Sequence, residues 1–200
     1  MTLPAHYHRC LEVLVEPGWR PGDFDAEQID EALLKAARLY EHIVSGGLIE
    51  PVATSLRLDD GEYAYADGPM EYSRFYGEDT YLHESPTSYL SPTAVVGSTI
   101  RNRVSRESAE PRWRDTHTTR VALTNRRLLI SVDHRWSSFH HQSIAEFLPE
   151  LPELSLVLTL FENVPLRLRA PDLPAQAVLL ASFLYTPQEV AEIPGFGVLF

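Results

Sequence analysis

Two hundred residues with 44% hydrophobic content and 10% aromatics can bury one sizeable core, or one core with an appendage. A net charge of −11 argues against a nucleic-acid partner, since most of the surface would repel phosphate. No run of about eighteen apolar residues is present to span a membrane, and a single cysteine, Cys10, rules out an internal disulfide.

The start of the chain, MTLPAHYHRC, lacks the charged-then-apolar build of a secretory leader, so a cytoplasmic location is expected. Cys10 reads as an idle or buried thiol. Only His6 and His8 stand near it, too little to organise a nucleophile. Glu16 to Gly22 is rich in Pro and Gly and reads as a loop, with Trp19 pinned onto the core. Asp25 to Val44 is the clearest helix. Asp23 or Asp25 can cap it, and Gly46-Gly47 ends it. Ile29, Leu33, Ala36, Tyr40 and Ile43 form one apolar stripe, expected to pack on the chain's own core; the other use of such a stripe is as a partner or dimer contact. Residues 1–48 thus form an N-terminal helical extension.

Alternation of apolar and polar residues then predicts strands. Ile49 to Leu58 reads as a strand, Asp59-Asp60-Gly61 as a hairpin turn, and Asp67-Gly68-Pro69 as a second turn before a strand opened by Met70, Tyr72 and Phe75. Tyr63, Tyr65, Tyr72 and Tyr76, with Tyr81, give this region its aromatic character. They are the candidate partner-binding residues, if they share a sheet face as a shallow groove; ordinary packing is the simpler reading.

Ser85 to Ile100 is small, Ser/Thr/Pro-rich and mildly apolar. Arg101, Arg103, Arg106, Arg112 and Arg114 follow it. The layout is that of an arginine-bearing insertion between two strands, at about 85–115. Its plain reading is a solvated surface helix from Val96 to Ser108. Its functional reading is an anion-binding loop, in which Arg101, Arg103 and Arg106, joined by Arg126 and Arg127, would meet a phosphate-bearing ligand or an anionic membrane surface. Lys35 is the only lysine, a bias that base composition of the genome accounts for equally well.

Thr118 to Leu148 carries the plainest pattern. Thr119, Val121 and Leu123 alternate with Arg120 and Ala122, Asn125 suits a hairpin tip, and Leu128, Ile130 and Val132 lead back. Asp133-His134-Arg135 is a second turn. A third strand is expected from Trp136 and Phe139 through Ile144 and Phe147 to Leu148-Pro149, where proline should stop it. Trp136, on a central strand, is expected in the core, where truncation would cost roughly 3–5 kcal/mol. Leu154, Leu156, Leu158 and Leu160 mark another strand. Asn163 with Pro165 marks a turn, and Leu166 and Leu168 alternate with Arg167 and Arg169. Ala177, Leu180, Ala181 and Leu184 then fall at helical spacing until Pro187.

A meander of antiparallel strands closed by one helix gives an α+β, mainly β, fold: a curved sheet or small barrel, capped at one end. The order of LTNRRLL, WSSF, IAEF, SLVLTLF, PLRLRA and a closing helix, preceded by GEYAYADGPMEYSRFYG, resembles bacterial PH-like and GRAM-like domains, and within them an uncharacterised actinobacterial group. The resemblance spans about Ala53 to Val190 and places a PH-like domain at residues 49–190. Such folds serve lipid, peptide and structural roles, and no catalytic residue carries over from the resemblance. The apolar tail at 191–200 is left open: free, docked on its own chain, or gripping a neighbour.

No GxSxG, HExxH, GxxxxGK[ST] or GxGxxG occurs. His134, His140 and His141 do not match a zinc pattern, because adjacent residues on a strand face opposite ways. His117 beside Asp115 reads as a surface pair. The sequence therefore points to a non-enzymatic protein-interaction module without metal or cofactor. Its alternative is a peripheral binder of anionic lipid at the inner face of the membrane, or of a phosphate-bearing ligand; the third reading is an enzyme with an unrecognised site.

Overall fold

The computed structural model describes residues 25–77, 111–132, 135–161 and 163–200. Among them, seven strands form one antiparallel sheet: β1 Ala64–Tyr76, β2 Arg112–Thr124, β3 Arg127–Val132, β4 Arg135–His140, β5 Ile144–Glu150, β6 Ser155–Leu160 and β7 Asn163–Arg169. The spatial order is β4-β3-β2-β1-β7-β6-β5. Two meanders thus meet at β1, and β4 and β5 are the rims. Helix α1 (Ala26–Val44) precedes the sheet. Helices α2 (Leu173–Leu184) and α3 (Pro187–Ala191) follow it, and a short 3-10 turn spans Phe196–Leu199. The fold class is α+β, mainly β: a curled half-barrel with a C-terminal helix on it. The sheet is open, with no pairing between β4 and β5 among the described residues.

The concave face is the core. Leu154, Leu156, Leu158 and Leu160 are all buried, as are Leu166, Leu168, Val121, Leu123, Leu128 and Ile130, in keeping with their alternation. Helix α2 lies on this face. It is apolar on nearly every side because α1 packs across its back through Ala36 and Tyr40. The α1 stripe is therefore spent on the chain's own core. Asp25 caps α1 in a reciprocal box with Gln28, and Lys35 ties it to Asp172 at 2.5 Å. The C-terminal tail docks on its own chain: Phe196 is fully buried, and the Phe200 ring sits edge-on to Tyr40 at 4.9 Å.

Several expectations are corrected. Ile49 to Leu58 is not a strand; its one sheet-like bond is Val52 N–H to the Ala64 carbonyl. The Asp59–Glu62 turn does form, with Gly61 at φ +73, and it is clamped to the β2–β3 hairpin tip instead of to a strand. Asn125 accepts from Tyr63 N–H and donates to the Gly61 carbonyl. Asp67-Gly68-Pro69 does not turn but runs inside β1. At Pro69 only β2 pairs with the strand, because β7 joins it from Glu71 to Arg74, so one side is open to a residue without N–H.

The expected third strand is two strands. The 3-10 turn His141–Ser143 separates β4 from β5, which lie on opposite rims. Pro149 pairs with Leu156 inside β5, tolerated because β5 is an edge. The turn expected at Asn163 and Pro165 does not lie there: β7 opens at Asn163, Phe161 before it is a turn residue, and Pro165 lies in β7 beside an irregular pairing.

Trp136 is not a core residue. It sits on rim strand β4 with 42% of its surface exposed, under the Arg120 guanidinium at 5.9 Å. Phe196 is the aromatic that fills the core, edge-on to Phe147 at 6.1 Å. Phe196→Ala should therefore cost roughly 3–5 kcal/mol, and Trp136→Ala less than about 1 kcal/mol, both read by urea unfolding. A larger loss at Trp136 than at Phe196 would contradict this core.

Candidate functional site

The β5 rim is where strand, helix and tail leave a groove. Ile144 and Glu146 pair with Leu160 and Thr159, so Ala145 bulges out and is exposed. Opposite, α2 ends at Tyr185 and the chain turns into α3. Thr186 caps α3 in a reciprocal box with Glu189, and Pro187 stands in its first turn. The chain then returns to β5 at Gly195. A Cβ there would lie 2.0 Å from the Pro149 carbonyl oxygen, so glycine is needed for this approach. That contact shuts one end of the groove. The groove itself measures about 370 Å³. Phe147, Tyr185, Ile193 and Pro194 give it an apolar wall; Glu146, Glu189 and Glu192 give it charge.

Among the described residues no lysine, arginine or histidine lines it. Glu189 is held below the usual carboxylate range by the Thr186 N–H and hydroxyl. Burial, with Glu189 nearby, pushes the Tyr185 hydroxyl up. Glu146 Oε2 is buried and has no hydrogen-bond partner among the described residues, and the same holds for Oγ1 of its cross-strand neighbour Thr159.

A larger hollow of about 650 Å³ lies over Gly68 and Pro69. Its charges satisfy each other: Arg120 binds Asp67 through two bonds of 2.7 and 2.6 Å and Ser55 at 3.0 Å, while Thr54 donates to Asp67. Little there is left for a ligand. Between the half-barrel's two sides, a space of about 120 Å³ lined by Tyr72, Phe139 and Leu166 is too small for more than a few waters.

The residues picked from the sequence are dispersed. Arg101, Arg103 and Arg106 lie outside the described residues, as do Cys10, Trp19, Tyr81 and His134. Arg127 is not available for an anion. Its Nε and Nη2 each hold Glu62 at 2.8 Å, in a carboxylate whose side chain has 0% exposure and which Thr124 also bonds at 2.7 Å. Arg126 is exposed but donates to the Asp60 carbonyl at 2.9 Å. The four tyrosines share no face. Tyr72 is buried in the core, which removes it from any partner surface. Tyr65 is the bulged residue of β1 and packs its ring against Phe183 at 5.1 Å. Tyr76, at the far end of β1, donates to Asp115 between the guanidiniums of Arg74 and Arg114. Only Tyr63, at 53%, is largely exposed. His117 bonds the Asp115 backbone oxygen at 2.6 Å, not its carboxylate. No three His, Cys, Asp or Glu among the described residues gather to hold a metal ion. The groove went unnoticed in the sequence because its parts, 145–147 and 185–194, are forty residues apart and each reads as ordinary strand or tail.

No protein-family model matches this chain, and no curated protein has a significantly similar sequence.

Two buried groups set the acid response. His141, half-stacked on Phe183 at 5.7 Å, is lowered by burial, with His140 adding to it, from 6.5 to about 4. The fold favours its neutral ring, so its contribution is full above pH 6.5 and is lost as pH falls toward 4. Arg127 holds Glu62 at about 2, against 4.5, so that contribution is full above 4.5 and is lost below it. His141→Phe should flatten the fall of melting temperature between pH 6.5 and 4, and Glu62→Gln should flatten the fall below 4.5 while lowering the melting point at pH 7. Unchanged pH profiles in both variants would refute these assignments.

Proposed function

We propose that this chain is a non-enzymatic protein-interaction module that receives a partner segment on the β5 rim. The observation that carries this is the coincidence of an unpaired strand edge with an apolar groove beside it. An open edge presents backbone donors and acceptors to any extended chain, and pockets beside it read that chain's side chains. The strand order, with a helix after β7, supports the resemblance to PH-like and GRAM-like domains.

The alternative is a peripheral binder of anionic lipid or a phosphate-bearing ligand, at the inner face of the membrane. It now leans on Arg101, Arg103 and Arg106 together with Arg126, since Arg127 is committed to Glu62. No helix among the described residues is long and apolar enough to cross a membrane. Acidic groups on the β5 rim would oppose an anionic surface approaching from that side.

A photo-crosslinking residue placed at Ala145 should trap protein partners from a native lysate, and the same residue at Ser55, in the larger hollow, should not. Adding Ile193→Asp should abolish the adducts at 145. Equal trapping at both positions, or adducts insensitive to Ile193→Asp, would overturn the rim assignment. Sedimentation of the chain with anionic liposomes at low salt would favour the lipid reading instead.

A further inference from the structure

We propose that the segment received on the β5 rim is basic: an extended stretch of about four residues carrying an arginine or lysine flanked by aliphatic side chains. This rests on the rim reading and adds the chemistry of the occupant.

The length follows from the open edge. From the Ile144 carbonyl to Phe147 the outer backbone edge has no hydrogen-bond partner among the described residues, though the Phe147 ring packs on Phe196, and beyond it Gly195 sits against Pro149. An added strand would bond the outward-facing N–H and C=O groups of this short run and no more. Its alternate side chains would reach the two sides of the rim. One side is the apolar wall of Phe147, Ile193 and Pro194, which suits a branched aliphatic side chain.

The charge follows from what the groove lacks. Three glutamates line it and, among the described residues, no cation does. Four other carboxylates have found arginines: Glu62 has Arg127, Asp67 has Arg120, Asp115 has Arg74 and Glu71 has Arg169, whereas Glu150, further along β5, has no such pair among the described residues. Glu146 stands outside that pattern, with an oxygen buried and without a donor among the described residues, opposite a Thr159 hydroxyl in the same condition. That buried oxygen can accept a donor that the described chain does not supply. A guanidinium or ammonium from an incoming strand supplies donors and charge together. Glu189 and Glu192 extend the negative field along the mouth, and the chain's charge of −11 draws cationic segments toward it. An acidic or phosphorylated segment would meet repulsion instead.

The test is a positional-scanning decapeptide library presented to the full chain. Its enriched sequence is then made as a fluorescent peptide and titrated by anisotropy. The expected result is selection of Arg or Lys at one position with Val, Ile or Leu on either side. Binding of that peptide should fall about tenfold with Glu146→Gln and several-fold between 50 and 500 mM salt, and should be lost with Ala145→Arg, which sets a cation of the chain's own in the groove. Ala145 is exposed, so that variant should fold, which its circular dichroism and melting point check. N-methylation of alternate amides in the peptide should abolish binding if it adds as a strand. Selection of apolar peptides with no basic preference, still blocked by Ala145→Arg, would overturn the basic occupant and leave the rim reading standing. No selected peptide, or selected peptides indifferent to Ala145→Arg, would overturn both.

Discussion

Four residue pairs hold the two halves of the sheet together. Glu71, Tyr72, Ser73 and Arg74 of β1 meet Arg169, Leu168, Arg167 and Leu166 of β7, and among the described residues no other strand pairing joins the β2–β4 meander to the β5–β7 meander. The joint is sealed on both faces. On the concave side Tyr72 and Leu168 are each at least 97% buried, and on the other the Glu71 carboxylate meets Arg169 at 2.9 Å. A cross-strand ion pair between partly shielded groups holds register better than it adds stability. Register here decides everything downstream, since a slip of one residue would turn Leu166 and Leu168 out of the core. It also decides which strands become rims.

The second constraint is how the chain uses its arginines. Nine of them fall between residues 101 and 135, against four acids, which looks like a surface for anions. In the fold, those at 120 and 127 are the counter-charges of carboxylates supplied by distant segments, Asp67 and Glu62. The Glu62–Arg127 pair, with Asn125 beside it, fastens the 59–63 loop to the hairpin tip. The groove at the β5 rim is the inverse case, lined by three glutamates and, among the described residues, by no arginine.

Helix α2 connects these constraints to function. Its twelve residues are apolar almost all round, which is stable only because the sheet covers one side and α1 the other. With both sides taken, the chain leaving Tyr185 must pass back along β5, where Phe196 plugs into the core next to Phe147. The rim groove is the space left between this returning tail and the strand. Its shape is therefore a by-product of core packing.

Local chemistry made much of this readable in advance. Strands β2, β3, β6 and β7 announce themselves by alternation, the β2–β3 tip by Asn125, helix α1 by Asp25 and its stripe, and the break at Pro187 by the missing N–H; each depends only on neighbours within a few residues. The misreadings share one cause. Trp136 looks like a core residue, and Asp67-Gly68-Pro69 looks like a turn, until the sheet order puts the first on a rim and leaves the second an open side. Tyr63, Tyr65, Tyr72 and Tyr76 look like a cluster until a bulge and the core separate them. Alternation tells which residues share a face of a strand but not which strand stands at the edge, nor which distant acid meets which arginine. Those follow from long-range pairing, and the rim groove, built from two segments that meet only when the tail folds back, belongs wholly to the tertiary structure.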